Sequence, residues 1–189
     1  MTKHPEPDVR HYGHAHAASI RELLLDVHDE VYEGVDDPLA PREAFARFVD
    51  GWSGKEGFAC VVAYDEDEPV GYAYGAPLTS ATTWWTKVVP APPPEFTAET
   101  GLRTFALSEL MVRTPWRGTG ASRLIHDELL CGRPEDRVTL LVHKDHVKVR
   151  ALYEGWGYEL VGEVVPFDGA PVLCTMVLAL HGADESARA

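Results

Sequence analysis

A chain of 189 residues, 45% of them apolar and 25% charged, has the composition of an ordinary globular protein and is long enough to bury a real core. Its formal charge of -13, from 30 acidic and 17 basic residues, argues against broad nucleic-acid binding; it can steer a cationic substrate toward a site or serve solubility alone, and so does not choose a substrate. Three scattered cysteines (Cys60, Cys131, Cys174) provide neither a disulfide framework nor a CxxC metal site, which points to a reducing compartment. The opening MTKHPEPDVRHYGHAH lacks the apolar stretch of a secretory leader, and the longest apolar run, Pro171–Leu180, is half a membrane span. The expected location is therefore the cytoplasm, with no membrane and no nucleic acid as partner.

In chain order, residues 1–13 read as a flexible N-terminal arm, 14–181 as a single domain and 182–189 as a flexible C-terminal tail. Ile20, Leu23, Leu24, Val27 and Val31 fall on one face of a helix, which the run Gly34–Pro41 breaks. Pro41 then suits the first turn of a second helix with Phe45, Phe48, Val49 and Trp52 as its buried stripe. Phe58–Tyr64 and Val70–Gly75, joined by the charged turn Asp65–Pro69, predict a hairpin. Residues 76–103, with Trp84, Trp85 and Pro90–Pro94, show no period; so long a connection is usually functional or disordered.

From Thr104 the pattern sharpens into a strand (Phe105–Val112), a helix (Ser122–Leu130), a strand (Val138–Val142) and a short helix (about Val147–Glu154). Tyr158–Val165 and Pro171–Leu180 close the chain as strands. The order predicts an α/β fold, a mixed sheet with helices on its faces. A right-handed crossover would make Phe105–Val112 and Val138–Val142 parallel, with their carboxyl ends on one edge, where ligands of open α/β sheets bind.

The informative stretch is Val112–Arg123, VRTPWRGTGASR. A strand ends, Pro115 turns the chain, and Arg117-Gly118-Thr119-Gly120 leads directly into a helix. Free amides and the positive dipole end gather there, and two glycines let an anion approach the main chain. No Gly-Lys-Ser/Thr follows, so it is not a P-loop, and a dinucleotide fingerprint from Gly118 would want glycine at Arg123.

Arg117-Gly118-Thr119-Gly120-Ala121-Ser122 resembles the Arg/Gln-x-x-Gly-x-Gly/Ala signature of the GNAT acetyltransferases, whose main-chain amides hold the coenzyme A pyrophosphate. Leu107–Val112 resembles that family's fourth strand, and Val149–Tyr158 its "ALYxxxGF" helix and turn. The resemblance covers residues 58–75 and 104–180. Ser122 departs from the usual glycine or alanine but is still small. His146 stands where the family often has an asparagine on the pantetheine arm, and that correspondence puts it among the coenzyme-binding residues.

The resemblance implies a GNAT-type acyl-CoA N-acyltransferase fold with acetyl-CoA as cosubstrate and no metal. Arg117, Gly118, Thr119, Gly120, Ala121 and Ser122 would take the phosphates, and the main chain at Met111, Val112 and Arg113 the thioester and pantetheine. Tyr153 matches the tyrosine that protonates the leaving thiolate. Glu109, on the strand leading into the site, is the candidate base. Trp84 and Trp85 are candidates for the acceptor pocket, since exposed rings can stack on a cation or sugar. His4, His11, His14 and His16 crowd the N-terminus without the fixed geometry a metal needs. The expected reaction is direct acetyl transfer to a primary amine of a small molecule in a ternary complex. The alternatives are a protein N-terminus or lysine as acceptor, or an acyl-CoA sensor without turnover. Oligomeric state stays open, a homodimer included.

Overall fold

The computed structural model describes residues 7–181. Residues 1–6 of the expected arm and the whole of the expected 182–189 tail lie outside the described residues. The strands form a seven-stranded mixed sheet in the order β1-β2-β3-β4-β5-β7-β6, with β1 at Asp8–Gly13, β2 at Ala59–Asp65, β3 at Glu68–Pro77, β4 at Thr104–Val112, β5 at Arg137–His143, β6 at Glu159–Val164 and β7 at Leu173–Ala179. Helices are α1 (Ala17–Val31), α2 (Arg42–Ser53), α3 (Pro94–Thr97), α4 (Ala121–Leu130) and α5 (Val147–Gly155). By their contacts the described residues form two compact units, 7–76 with 107–132, and 77–106 with 133–181.

In the first unit α1 and α2 form because their apolar residues recur at helical spacing, and they bury that stripe on one sheet face. Ile20, Leu24, Leu25 and Val27 meet Phe45, Val49, Phe58, Tyr72 and Tyr74 in one core. The bonds at the joint between the helices are specific. Arg42 pairs with Glu22, Asp26 and Asp29, and the fully buried His28 ring stacks between Phe45 (3.8 Å) and Tyr32 (4.5 Å). Pro41 is the cap residue of α2 rather than its first turn, with extended backbone (φ -65°, ψ 127°).

Residues 8–13 are a correction to the flexible arm: they pair antiparallel with β2 along six positions, from Asp8 opposite Tyr64 to Gly13 opposite Ala59. Their side chains gave no alternation because β1 lies at the end of the sheet and buries none of its residues fully. Tyr12 and Tyr64 hydroxyls meet at 3.0 Å, and Arg10 lies over the Tyr64 ring.

In the second unit, Thr104–Ala106 of β4 pair parallel with β5, as a crossover requires, and β5, β7 and β6 continue antiparallel. The aperiodic stretch before β4 is ordered by a buried polar clasp. Arg137 sends Nε to Thr104 Oγ1 (2.7 Å) and Nη2 to the Phe96 carbonyl (2.7 Å) and Glu99 Oε1 (2.9 Å). The same Glu99 oxygen accepts from Trp85 Nε1 (3.0 Å) and Thr104 Oγ1 (2.7 Å), while the guanidinium lies 4.3 Å over Phe96. Further along, Val89 exchanges two 2.8 Å main-chain bonds with Glu163 on β6. Gly162 permits that approach, since a Cβ there would stand 2.8 Å from both Val88 Cγ1 and Val89 O.

Candidate functional site

The glycine loop belongs entirely to the first unit. β4 ends at Val112, a single 3-10 turn (Thr114–Trp116) reverses the chain, and α4 begins at Ala121. Gly118 and Gly120 have φ of +75° and +99°, and a Cβ on either would meet nothing within 4 Å. They are glycines for their left-handed backbone, and the space in front of them is open. Gly120 caps α4 without any side-chain cap bond. Among the described residues, no main-chain acceptor takes the amides of Gly118, Gly120 or Ser122; Leu124 makes the first bond, to Gly120 O.

Thr119 holds the loop's shape, its hydroxyl donating to Trp116 O at 2.7 Å and receiving the Ala121 amide at 3.4 Å. Arg117 folds back, Nε donating to Val112 O at 3.2 Å. Exposed amides, an unengaged helix start and a cation beside it are the chemical features of an anion cradle. The residues present therefore fit a coenzyme pyrophosphate.

Met111 and Val112 are buried at the end of β4, and Met111 Sδ lies 3.1 Å from the Tyr72 hydroxyl. β3 and β4 approach so closely here that a Cβ on Gly71 would sit 2.3 Å from Met111 O. Arg113 is a correction. Its amide, expected to face the coenzyme, donates to Val70 O (2.9 Å), and its side chain donates to Glu30 (2.6 Å) and Pro69 O (3.1 Å). Both are occupied by protein acceptors.

Glu109 is half-buried on β4, and among the described residues no hydrogen-bond donor or cation meets its carboxylate. Burial, and after it the negative charge of Asp37, pushes its pKa up to about 8. Tyr32, Tyr72 and Tyr74 all feel Glu109: burial first and that carboxylate second hold their hydroxyls above the usual range. Glu109 thus stands among Tyr32 at the end of α1, Asp37 in the α1–α2 linker and two tyrosines of β3. Neither Tyr32 nor Asp37 was singled out from the sequence. The signal was there in the acidic run Glu33–Asp37, but it reads equally well as a solvated helix break.

The remaining candidates lie in the second unit. Tyr153 is the buried residue of α5, edge-on to Trp156 (5.4 Å) and Tyr158 (5.3 Å). His146 caps α5, stacked 4.7 Å from His143 and exposed. Trp84 is half-buried, whereas the Trp85 indole is spent inside the clasp on Glu99. His11 and His14 make separate contacts, to Glu128 and to Ser53 O, and no group of three metal-ligating side chains occurs among the described residues. No helix among the described residues is long and apolar enough to cross a membrane.

Compared with solved structures, the chain aligns over 93% of its length with 99% of an acetyltransferase assigned to the GNAT family from Desulfovibrio desulfuricans, at TM-score 0.66 and 17% identity. The fold is that of the GNAT acetyltransferases. Other GNAT-like neighbours include an aminoglycoside 6'-N-acetyltransferase complexed with coenzyme A (TM-score 0.62, 14% identity, 93% of this chain and 98% of the other). A Salmonella typhimurium protein solved with its cofactor acetyl-CoA aligns at TM-score 0.58 and 14% identity, over 94% and 96%. At these identities the likeness concerns the GNAT fold alone. No family model and no curated protein matches the sequence.

Proposed function

We propose that this chain is an acetyl-CoA-dependent N-acetyltransferase that acts on a primary amine of a small molecule by direct transfer. One observation carries the reading: a helix start with unclaimed amides at Gly118, Gly120 and Ser122, opened by two left-handed glycines, on a GNAT fold. Those amides would hold the pyrophosphate, with Arg117 beside them, and bound acetyl-CoA would supply the activated acyl carbonyl.

The acceptor must lose a proton before it can attack. An amine with a lysine-like pKa is neutral in only about four molecules per ten thousand at pH 7. Glu109 fits the role of taking that proton, because a carboxylate with a pKa of about 8 is basic enough to accept it and still ionises near neutral pH. The tyrosines around it and Asp37 would offer a cationic amine an aromatic and negative surround. Tyr153, assigned by its motif, would return a proton to the sulfur as the carbon–sulfur bond breaks. Trp84 and His146 stay as proposed contacts to acceptor and pantetheine.

Calorimetry with coenzyme A and a free-thiol release assay across a panel of primary amines test the reading. The expected outcome is coenzyme binding, thiol release with at least one amine, and losses of about 10²-fold or more in kcat for Glu109→Gln and Tyr153→Phe. No heat with the coenzyme would overturn the function; thiol release at the parental rate in both variants would overturn the two roles.

A further inference from the structure

Arg113 directly follows the buried end of β4 and stands four residues before Arg117, yet its bonds to Val70, Pro69, Glu68 and Glu30 run away from the glycine loop. Its amide is fixed to Val70 O, and its guanidinium reaches Pro69 O at 3.1 Å and Glu68 at 3.5 Å, so it is stitched to the start of β3. The Nε bond to Glu30 at 2.6 Å adds the last turn of α1. Both partners are about one-third exposed or less, 29% for Arg113 and 36% for Glu30, so solvent screens the pair only in part. Glu30 lies two residues before Tyr32, whose hydroxyl feels the Glu109 carboxylate, and seven before Asp37, whose charge acts on Glu109.

The other anchors of this corner are close backbone packing and ion pairs. Gly71 brings β3 so near the end of β4 that a Cβ there would stand 2.3 Å from Met111 O and 2.9 Å from Val112 Cα. On α1, Glu22 and Asp26 are bound to Arg42, as is Asp29, whereas no ion pair to Glu33, Asp36 or Asp37 of the linker occurs among the described residues. The linker itself is shaped by turn bonds, Val35 N to Tyr32 O (3.0 Å), Leu39 N to Asp37 Oδ1 (2.7 Å) and Ala40 N to Asp37 O (3.0 Å), and Arg113 ties the helix turn before it to the coenzyme strand.

We propose that Arg113 is a positioning residue that couples the glycine loop to the α1–α2 linker, so that filling the loop orders the linker around Glu109. The inference rests on the glycine loop binding coenzyme A. Ordering the loop restricts the Val112–Arg117 segment, the restricted Arg113 holds Glu30 in place, and the helix end that Glu30 fixes sets where Tyr32 and Asp37 lie. Coupling of this kind needs no large displacement, only that one site lowers the ordering cost of the other.

Hydrogen exchange on the full chain, with and without coenzyme A, tests it. The wild type should show slowed exchange in residues 117–124 and, in parallel, at least about five-fold slower exchange in residues 32–40, the lower end of measured couplings. Arg113→Met and Glu30→Gln should each keep the first protection and lose the second. Glu30→Gln leaves β3 and β4 untouched, so it serves if Arg113→Met folds poorly. No protection at 117–124 in the wild type would sink the coenzyme reading itself. Protection there without any at 32–40, or protection at 32–40 that survives in both variants, would overturn the coupling while leaving that reading intact.

Discussion

Glu109 carries an electrostatic cost that its mutation should reveal. Its folded pKa of about 8 lies above the ordinary carboxylate value of 4.5, so the folded chain binds more protons than the unfolded one between those two pH values. Stability from this group is whole below about pH 4.5 and is lost as pH rises toward 8. Glu109→Gln should therefore raise the unfolding midpoint measured at pH 8.5 and leave it nearly unchanged at pH 4. In the proposed transfer reaction the sign reverses: a Glu109 base would be available only once ionised, so kcat should climb with pH through about 8. That limb should disappear in the glutamine variant if Glu109 is the base. The strand position of Glu109 was legible in the sequence, but its isolation was not, because the missing counter-ion is a fact about Tyr32, Tyr72, Tyr74 and Asp37 arriving from three other segments. Arg113 shows the same limit in reverse. Its place in a motif suggested that its amide meets the coenzyme, while Val70 on β3 takes that amide and Glu30, 83 residues away, holds the side chain.

At the scale of elements, periodicity succeeded wherever an element has one buried face. α1, α2, β4, α4 and β5 stand within a residue or a few of the ranges their apolar spacing predicts. It failed for β1, which has no buried face to signal, and for residues 78–103, which are held by polar groups instead. The clasp of Glu99, Arg137, Thr104 and Trp85 is what that stretch has in place of a pattern. Its two charges are nearly sealed, with side-chain exposures of 1% and 9%. Burial lowers the Arg137 pKa, and the Glu99 bond opposes that. Removing one partner strands the other, which costs about 3–5 kcal/mol. Glu99→Ala should accordingly lower unfolding free energy by that order in denaturant titration. Trp85 emission should shift to the red as its indole loses its partner. Arg137→Met together with Glu99→Leu should recover much of the loss, since two apolar groups leave no orphaned charge.

For the whole molecule, composition excluded more than it chose. The charge of -13 argued against a polyphosphate partner, and the glycine loop then proposes a compact one, which a local cradle can hold despite a repelling surface. The same surface should draw cationic acceptors. If so, kcat/KM should fall as ionic strength rises from 0.02 to about 0.3 M, where screening shortens to several ångströms, and fall more for dicationic than for monocationic amines. Equal slopes for the two would mean that the net charge serves solubility alone. What composition and pattern could not convey was the division of contacts into two units, one holding the glycine loop with Glu109 and the other holding Tyr153 with the clasp.

The exchange of bonds between Val89 and Glu163 has a consequence for handling the protein. β6 is the last strand of the sheet, and a bare terminal strand invites other chains to add themselves in ribbons. A single residue of the long connection stands guard there, admitted by the missing side chain of Gly162. Shortening residues 86–91, or putting alanine at 162, would lift that guard, and the damage would appear as turbidity in concentrated stocks.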